Sequence, residues 1–421
     1  MSGTPVTRLR QRADYTHKHN LKTGRHGWLR LTPAYSIKIV EELIENYERP
    51  MRIFDPFCGT ATTALIAAYH GHEGVTTDIN PFLVWLGQAK AAHYSPREIS
   101  AARQAGARAL EMLQRKRTGG VISSPPPIHN IERWWSADSL EFLCTLKSAL
   151  ESTTDEGTPE RTLLLVAFCR TLIAISNAAF DHQSMSFKDD GQIQLSLDLD
   201  LHALYAHDVD FVLEGASDNP EGSGRVILGD SRNPAECVEG SFDCVITSPP
   251  YANRMSYIRE LRPYMYWLGF LSNGRDAGEL DWSAIGGTWG VATSRLADWK
   301  ATSVGFQDKE LDCLMDQIAD RDNKNGELLS KYVAKYFDDM WTHFSGLTLI
   351  LNRGAEIHYI VGNSTFYGVL LPVEKLYSEM LRKQGFTNIQ CRTIRKRNSK
   401  KALIEFDVSA VWPGPALLCK S

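Results

Sequence analysis

The chain lacks the paired cysteines of a metal site or a disulfide framework. Its eight cysteines are scattered, and no two stand in a Cys-x-x-Cys pair. That argues against structural zinc and points to reduced thiols in a cytoplasmic setting. No apolar run approaches the roughly 20 residues that cross a bilayer, and no secretory leader opens the chain. No membrane partner is therefore expected. Positive charge is not in excess either: the net charge is −4, so a face for nucleic acid would have to be local. What remains is a globular composition, with 421 residues, 43% of them hydrophobic and 23% charged. That length accommodates a large core and one domain with sizeable insertions. There are no internal repeats.

The informative stretch is Phe242-Asp243-Cys244-Val245-Ile246-Thr247-Ser248-Pro249-Pro250-Tyr251. Its first half reads as a short buried strand, β-branched and apolar up to a sudden stop. Each proline that follows lacks an N–H and holds φ near an extended value. Ser248 precedes a proline and is pushed to an extended conformation too. The product is a stiff loop at the carboxyl end of a strand, closed by an aromatic ring. In an open α/β sheet, ligands bind at that place. Ser248 Oγ and the Pro249 carbonyl suit the exocyclic amine of cytosine or adenine. Tyr251 suits stacking on the ring face, as flipped bases are held. The plainer alternative is a rigid turn with a packing tyrosine. For Ser-Pro-Pro alone that alternative would win, and residues 123–127, Ser-Ser-Pro-Pro-Pro with no aromatic behind them, read as linker.

Upstream, Met51-Arg52-Ile53-Phe54-Asp55 reads as a strand, Pro56-Phe57-Cys58-Gly59-Thr60 as a tight loop and residues 61–69 as a helix. This is the opening of a doubly wound nucleotide-binding unit. The loop has a single glycine, so the dinucleotide fingerprint fails, and no Gly-Lys-Ser/Thr follows to make a phosphate loop. A glycine turn without phosphate grips suits a cofactor without phosphates, S-adenosylmethionine. A second strand, 72–78, ends in Thr77-Asp78-Ile79. An acid about 20 residues past the glycine turn is placed for two ribose hydroxyls, with Ile79 against the adenine. Residues 82–92 follow as a helix.

Taken together, these two stretches resemble the amino-methyltransferases of DNA, whose catalytic motif is (Asp/Asn/Ser)-Pro-Pro-(Tyr/Phe/Trp). The resemblance covers residues 28–92 and 225–412 and is vaguer in the insertions. It implies an α/β fold, Rossmann-like and S-adenosylmethionine-dependent, with a doubly wound mixed sheet and a mainly helical insertion. It implies catalytic roles for Ser248, Pro249, Pro250 and Tyr251. For the cofactor it implies Asp55, Pro56, Phe57, Gly59, Thr60, Asp78, Ile79, Asp230 and Ser231. Asp55 would lie near the amino-acid end of the cofactor. Asp230, in Gly229-Asp230-Ser231 after the strand from Arg225, would lie near the adenine amine. Thr32 and Pro33 precede an amphipathic helix with Ile37, Val40, Leu43 and Ile44, in a segment that closes over the methionine end. Ala61 stands where the family's last glycine usually sits. The loop offers no Pro-Cys, so carbon-5 methylation of cytosine through a covalent intermediate is not indicated, and no metal is needed. Serine at the first motif position is commoner among cytosine-N4 enzymes than adenine-N6 enzymes. Cytosine N4 in duplex DNA is thus expected, in a restriction-modification setting with a cognate endonuclease as possible partner. Adenine N6 is the alternative. An RNA amino-methyltransferase and a non-catalytic recognition subunit are further ones. Cofactor elements before the catalytic loop, with an insertion between, is the α-type order.

The chain is thereby divided into five segments. Residues 1–94 hold a basic arm and the cofactor half, with Arg25 and His26 among the arm's positive or titratable residues. The arm reads equally as a terminus or as a phosphate contact. Residues 95–224 form a helical insertion for target recognition, with helices at 97–115, 139–150 and 160–177, and linker at 215–224. In it Trp134 reads as core. Residues 225–271 are the catalytic half, with an aromatic helix at 254–270. Residues 272–326 are a second insertion with a glycine-rich loop for DNA. Residues 327–421 end the sheet, with a helix at 327–344, a fifth strand at 355–361, a helix at 371–384 and closing strands at 389–394 and 402–411. The DNA-binding candidates are Arg254, Trp289, Arg295, Arg395, Lys396, Arg397 and Lys400. The last four belong to a basic hairpin tip of a kind the family carries.

Overall fold

The computed structural model describes residues 13–21, 23–31, 35–45, 47–114, 124–179, 186–187, 200–253, 256–287, 291–301, 305–321, 325–397 and 403–415. Its main sheet has seven strands: β1 Arg52–Asp55, β2 Glu73–Asp78, β3 Ser223–Leu228, β4 Phe242–Thr247, β5 Leu351–Gly362, β6 Thr387–Lys396 and β7 Ile404–Val411. Their spatial order is β6-β7-β5-β4-β1-β2-β3. The pairs β1/β2, β1/β4, β2/β3 and β4/β5 are parallel, and β7 is antiparallel to both its neighbours. The order turns back on itself between β1 and β4. The crevice outside the carboxyl ends of those two strands is the place where doubly wound sheets bind ligands. This is the doubly wound, Rossmann-like mixed sheet expected from the sequence.

Helices cover the sheet. They are α1 Ile37–Ile44, α2 Thr62–Tyr69, α3 Pro81–Ala91, α4 Pro96–Gln114, α5 Ala137–Thr153, α6 Pro159–Ala174 and α7 Leu201–Ser217. After β4 come α8 Tyr257–Trp267, α9 Gly274–Ser283, α10 Val291–Asp298, α11 Lys309–Ala319, α12 Gly326–Leu347 and α13 Val373–Lys383. Local chemistry starts them. Pro81 opens α3 while Asn80 accepts from the Phe82 N–H at 3.0 Å, a cap that satisfies an orphan donor. Ser36 does the same for α1 through Lys38. The helix α2 is buried on all sides, which puts it directly against the sheet.

Two expectations are corrected. Residues 215–224 are not one linker: Gly215 lies inside α7, and β3 already begins at Ser223. Gly215 signals close packing, since an added Cβ would fall 2.6 Å from Trp28 Nε1. The second correction concerns the basic arm. Arg25 is fully buried and donates to the carbonyls of Lys90 (2.8 Å), Gly215 (3.0 Å) and Ala216 (2.9 Å), and to that of Ala92. Those are the last carbonyls of α3 and α7, so this cation caps two helix ends and is not free to bind phosphate. The first insertion is built into the body, and Trp134 lies in the core as the sequence suggested. Trp134, Trp135 and Phe168 share one core with Phe82, Leu86, Tyr264 and Trp267.

Candidate active site

The loop after β1 and the loop after β4 lie side by side because their strands pair, Ile53 with Cys244 and Phe54 with Val245. Asp55 ends β1 and is fully buried. Its Oδ1 accepts from the Phe57 N–H at 3.0 Å and from the Thr247 hydroxyl at 2.6 Å. Its Oδ2 is buried with no hydrogen-bond partner among the described residues. Burial raises its pKa to about 7, against the pull of those donors. The tight turn then closes through two left-handed residues, Gly59 (φ 51°) and Ala61 (φ 60°). Asp78 grips this turn from β2: its Oδ2 accepts from the Gly59 N–H at 3.0 Å and its Oδ1 from the Asn80 N–H at 2.9 Å. Burial raises Asp78 to about 6.

Asp230 is held differently. Burial alone would raise its pKa, but Arg232 wraps both carboxylate oxygens at 2.6–3.0 Å and brings it below the ordinary value. The same guanidinium reaches Asp339 at 3.0 Å and the Ser283 carbonyl at 2.7 Å. Behind Ser231, buried His343 is pushed down to about 4 by desolvation and is therefore neutral. Its Nδ1 is 2.6 Å from the Ser231 carbonyl and its Nε2 2.5 Å from the Tyr359 hydroxyl. A carbonyl only accepts, so the proton sits on Nδ1 and Tyr359 donates to Nε2.

The Ser248–Tyr251 loop is pinned from three sides. The Tyr336 hydroxyl donates to the Pro250 carbonyl at 2.8 Å. The Tyr251 N–H donates to the Tyr257 hydroxyl at 3.4 Å, and the Tyr251 hydroxyl to Glu405 Oε1 at 2.8 Å.

One cavity of about 720 Å³ joins these parts, within the size range of small-molecule sites. Pro56, Phe57, Gly59, Thr60, Asp78, Ile79, Asp230 and Ser231 line it, together with Ser248, Pro249, Pro250 and Tyr251. Asp55 is not in the wall but directly behind Pro56. Of the DNA candidates, Arg395 and Arg397 line the cavity, whereas Lys396 does not. Arg295 sits away from it on α10, paired with Glu279 at 2.7 Å. Thr32, Pro33, Arg254, Trp289 and Lys400 lie outside the described residues. In the sequence the basic hairpin reads as a phosphate contact; in the structure Arg395 and Arg397 turn inward to the cavity, with strand register setting Arg395 against Glu405.

Several wall residues escaped sequence reasoning. Tyr15, Tyr35, Tyr257 and Glu405 are among them, as are Asp281 and Ser283 to Ile285 of the second insertion. One short stretch of that insertion, residues 281–287, thus contributes to the cavity wall. Glu405 had one legible signal. Arg392 and Arg395 on β6 face Asp407 and Glu405 on β7 in register, a charge-paired hairpin.

No family model matches the chain. Among curated proteins it is similar to type II methyltransferases along most of its length. M.MvaI of Kocuria varians is 22% identical over 378 residues, spanning 83% of this chain and 80% of that protein. M.BsoBI of Geobacillus stearothermophilus is 22% identical over 439 residues, 92% of this chain and 83% of its own. M.AvaI of Nostoc sp. is 22% identical over 402 residues, 87% and 80% respectively. Among solved structures, TrmN from Thermus thermophilus overlaps 95% of this chain and 53% of its own at a TM-score of 0.31 and 10% identity. That likeness is too loose to bear on fold or activity. Among the described residues no helix is long and apolar enough to cross a membrane.

Proposed function

We propose that this chain is an S-adenosylmethionine-dependent DNA methyltransferase acting on an exocyclic amine, cytosine N4 in the first instance, within a restriction-modification pair. The observation that carries the reading is that Ser248–Tyr251 and the Asp55–Thr60 turn open into one cavity. The similarity to type II methyltransferases supports the substrate class; a cognate endonuclease as partner is part of the proposal.

The residues fit the cofactor. Among the described residues Asp55 Oδ2 is a buried acceptor with no partner, and a cationic amino group at the cofactor's methionine end is the complement it lacks. Asp78 stands at the end of β2, where a ribose diol is held. Ile79 and Phe57 supply apolar surface for adenine, with Asp230 for its amine. S-adenosylmethionine, when bound, supplies an electrophilic sulfonium methyl group. The chain's own contribution is positioning and exclusion of water. Ser248 Oγ and the Pro249 carbonyl accept hydrogen bonds from the target amine, which aims its lone pair, and Tyr251 stacks on the base.

Serine at position 248 is what favours cytosine; adenine N6 is the alternative product. The test is nucleoside mass spectrometry of unmethylated DNA treated with the protein and isotope-labelled S-adenosylmethionine. Labelled N4-methylcytosine, absent with Ser248→Ala, is expected. Labelled N6-methyladenine would overturn the choice of base, and cofactor binding without labelled DNA would overturn the substrate.

A further inference from the structure

The hairpin β6–β7 carries basic residues that a sequence offers to phosphate, yet its side chains converge on Tyr251. Arg395 Nε donates to Glu405 Oε2 at 2.6 Å and its Nη2 to Oε1 at 3.2 Å. Glu405 is only 3% exposed and takes the Tyr251 hydroxyl on Oε1. The Arg397 guanidinium lies over the Tyr251 ring, 4.6 Å from its centroid. It also donates to the Asn363 carbonyl at 3.1 Å. Gly362 lets it approach that closely: an added Cβ there would fall 2.2 Å from Arg397 Nη1.

We infer that Glu405 and Arg397 are positioning residues that fix Tyr251 as the stacking platform for the target base, and that they are not phosphate contacts. This rests on Ser248–Tyr251 being the amine-methylating loop. A tyrosine ring turns about two bonds, so it presents a defined face only when its tip and one side are held. Glu405 holds the tip. Arg397 covers one face, which leaves the other for a base. A buried carboxylate alone would be an uncompensated charge, and Arg395 supplies the compensation. All three side chains line the same cavity as Ser248 and Pro249, so the clamp acts at the site itself. Engaged in this way, neither guanidinium of the pair is spent on the DNA backbone.

The test uses the full chain with Glu405→Ala, Glu405→Gln and Arg397→Met. Three quantities are read: the methylation rate of unmethylated genomic DNA at saturating cofactor, the cofactor Kd by calorimetry, and the salt dependence of binding to a labelled duplex of mixed sequence. Glu405→Ala should lower kcat on the order of 100-fold, the effect of a misplacement of about 1 Å. Glu405→Gln keeps a carbonyl acceptor for the Tyr251 hydroxyl and should recover most of the rate. Arg397→Met should lower kcat about 5-fold, the worth of a cation–π contact. Cofactor Kd and the slope of log Kd against log salt should match wild type throughout. A slope reduced by about 1 with kcat retained is the signature of a lost phosphate contact and overturns the inference. So does full activity in Glu405→Ala. If that variant fails to bind cofactor, the Gln variant and Arg397→Met decide. A wild-type protein that labels no DNA removes the underlying reading of the loop instead, and is recognised by its own control.

Discussion

Thr247 donates its hydroxyl to Asp55 Oδ1 at 2.6 Å, across the crevice between β4 and β1. Both residues are fully buried. The residue after Thr247 is Ser248 and the residue after Asp55 is Pro56, so this one bond sets the Ser248–Tyr251 loop against the Pro56–Thr60 turn. It also leaves Asp55 with one satisfied oxygen and one without a partner among the described residues.

Replacing Thr247 with valine keeps the shape and removes the donor. A buried carboxylate that loses a hydrogen bond costs about 1–3 kcal/mol. Urea unfolding of Thr247→Val should show a loss of that size, and Thr247→Ser should restore most of it. Equal stability of the valine and serine variants would show that the bond contributes only through shape.

The pH dependence follows from Asp55. Its folded pKa is raised from 3.8 to about 7, so the folded protein binds this proton more tightly than the unfolded chain does. The stabilising contribution is fully present below the unfolded pKa and is lost as pH rises through about 7. At about 1.4 kcal/mol per pKa unit it is on the order of 4 kcal/mol. Asp78, raised to about 6, acts in the same direction. Unliganded Asp55→Asn should therefore gain on wild type as pH rises from about 5 to 8. Cofactor affinity should run the other way, weakening below about pH 7 as the carboxylate that would meet a cationic amine is neutralised. Thermal melts and calorimetry across that range test both trends, and an affinity flat in pH would remove Asp55 from the cofactor's amino end.

The sheet was legible because its central parallel strands β1, β2 and β4 are largely buried and end in abrupt turns. Runs such as Cys244 to Thr247 admit little else. The order of the acids at Asp55, Asp78 and Asp230 could be read for the same reason. Helix α7 was not legible. Asp200 caps it by accepting from His202 and Ala203, but its far end holds Gly215, which marks a loop unless the packing of Trp28 is known. Arg25 was misread because a basic, polar stretch does not disclose that two helix ends will meet around one guanidinium. Glu405 and Arg395 resemble solvated charges in a hairpin, and only strand register turns them toward Tyr251.

Ala61 occupies a left-handed conformation, φ 60° and ψ 32°, at the start of α2. That conformation costs a residue with a Cβ about 1–2 kcal/mol. Glycine would relieve it but give up a buried methyl worth about 0.8 kcal/mol and gain unfolded-state freedom worth about 0.4–1 kcal/mol. These terms nearly cancel, so Ala61→Gly should leave unfolding free energy within about 0.5 kcal/mol of wild type. Ala61→Val adds branching at positive φ and crowds the approach of Gly87, whose added Cβ would already be 3.3 Å from Ala61 Cβ. It should lose about 3 kcal/mol. A tolerated valine would show that the turn can rearrange.

Arg25 gives the last prediction. Its guanidinium meets carbonyls from two helix ends and the Asn219 side chain at 2.8 Å. Lysine has one nitrogen and no planar fork, so it cannot satisfy acceptors that diverge in this way. Each buried carbonyl left without a donor costs about 1–3 kcal/mol. Arg25→Lys should therefore lower stability by about 2 kcal/mol or more, although the charge is kept. Because the group is fully buried, the salt dependence of duplex binding by the folded variant should equal that of wild type. A shallower salt slope with unchanged stability would instead place Arg25 on the phosphate backbone, and the helix ends would need another donor.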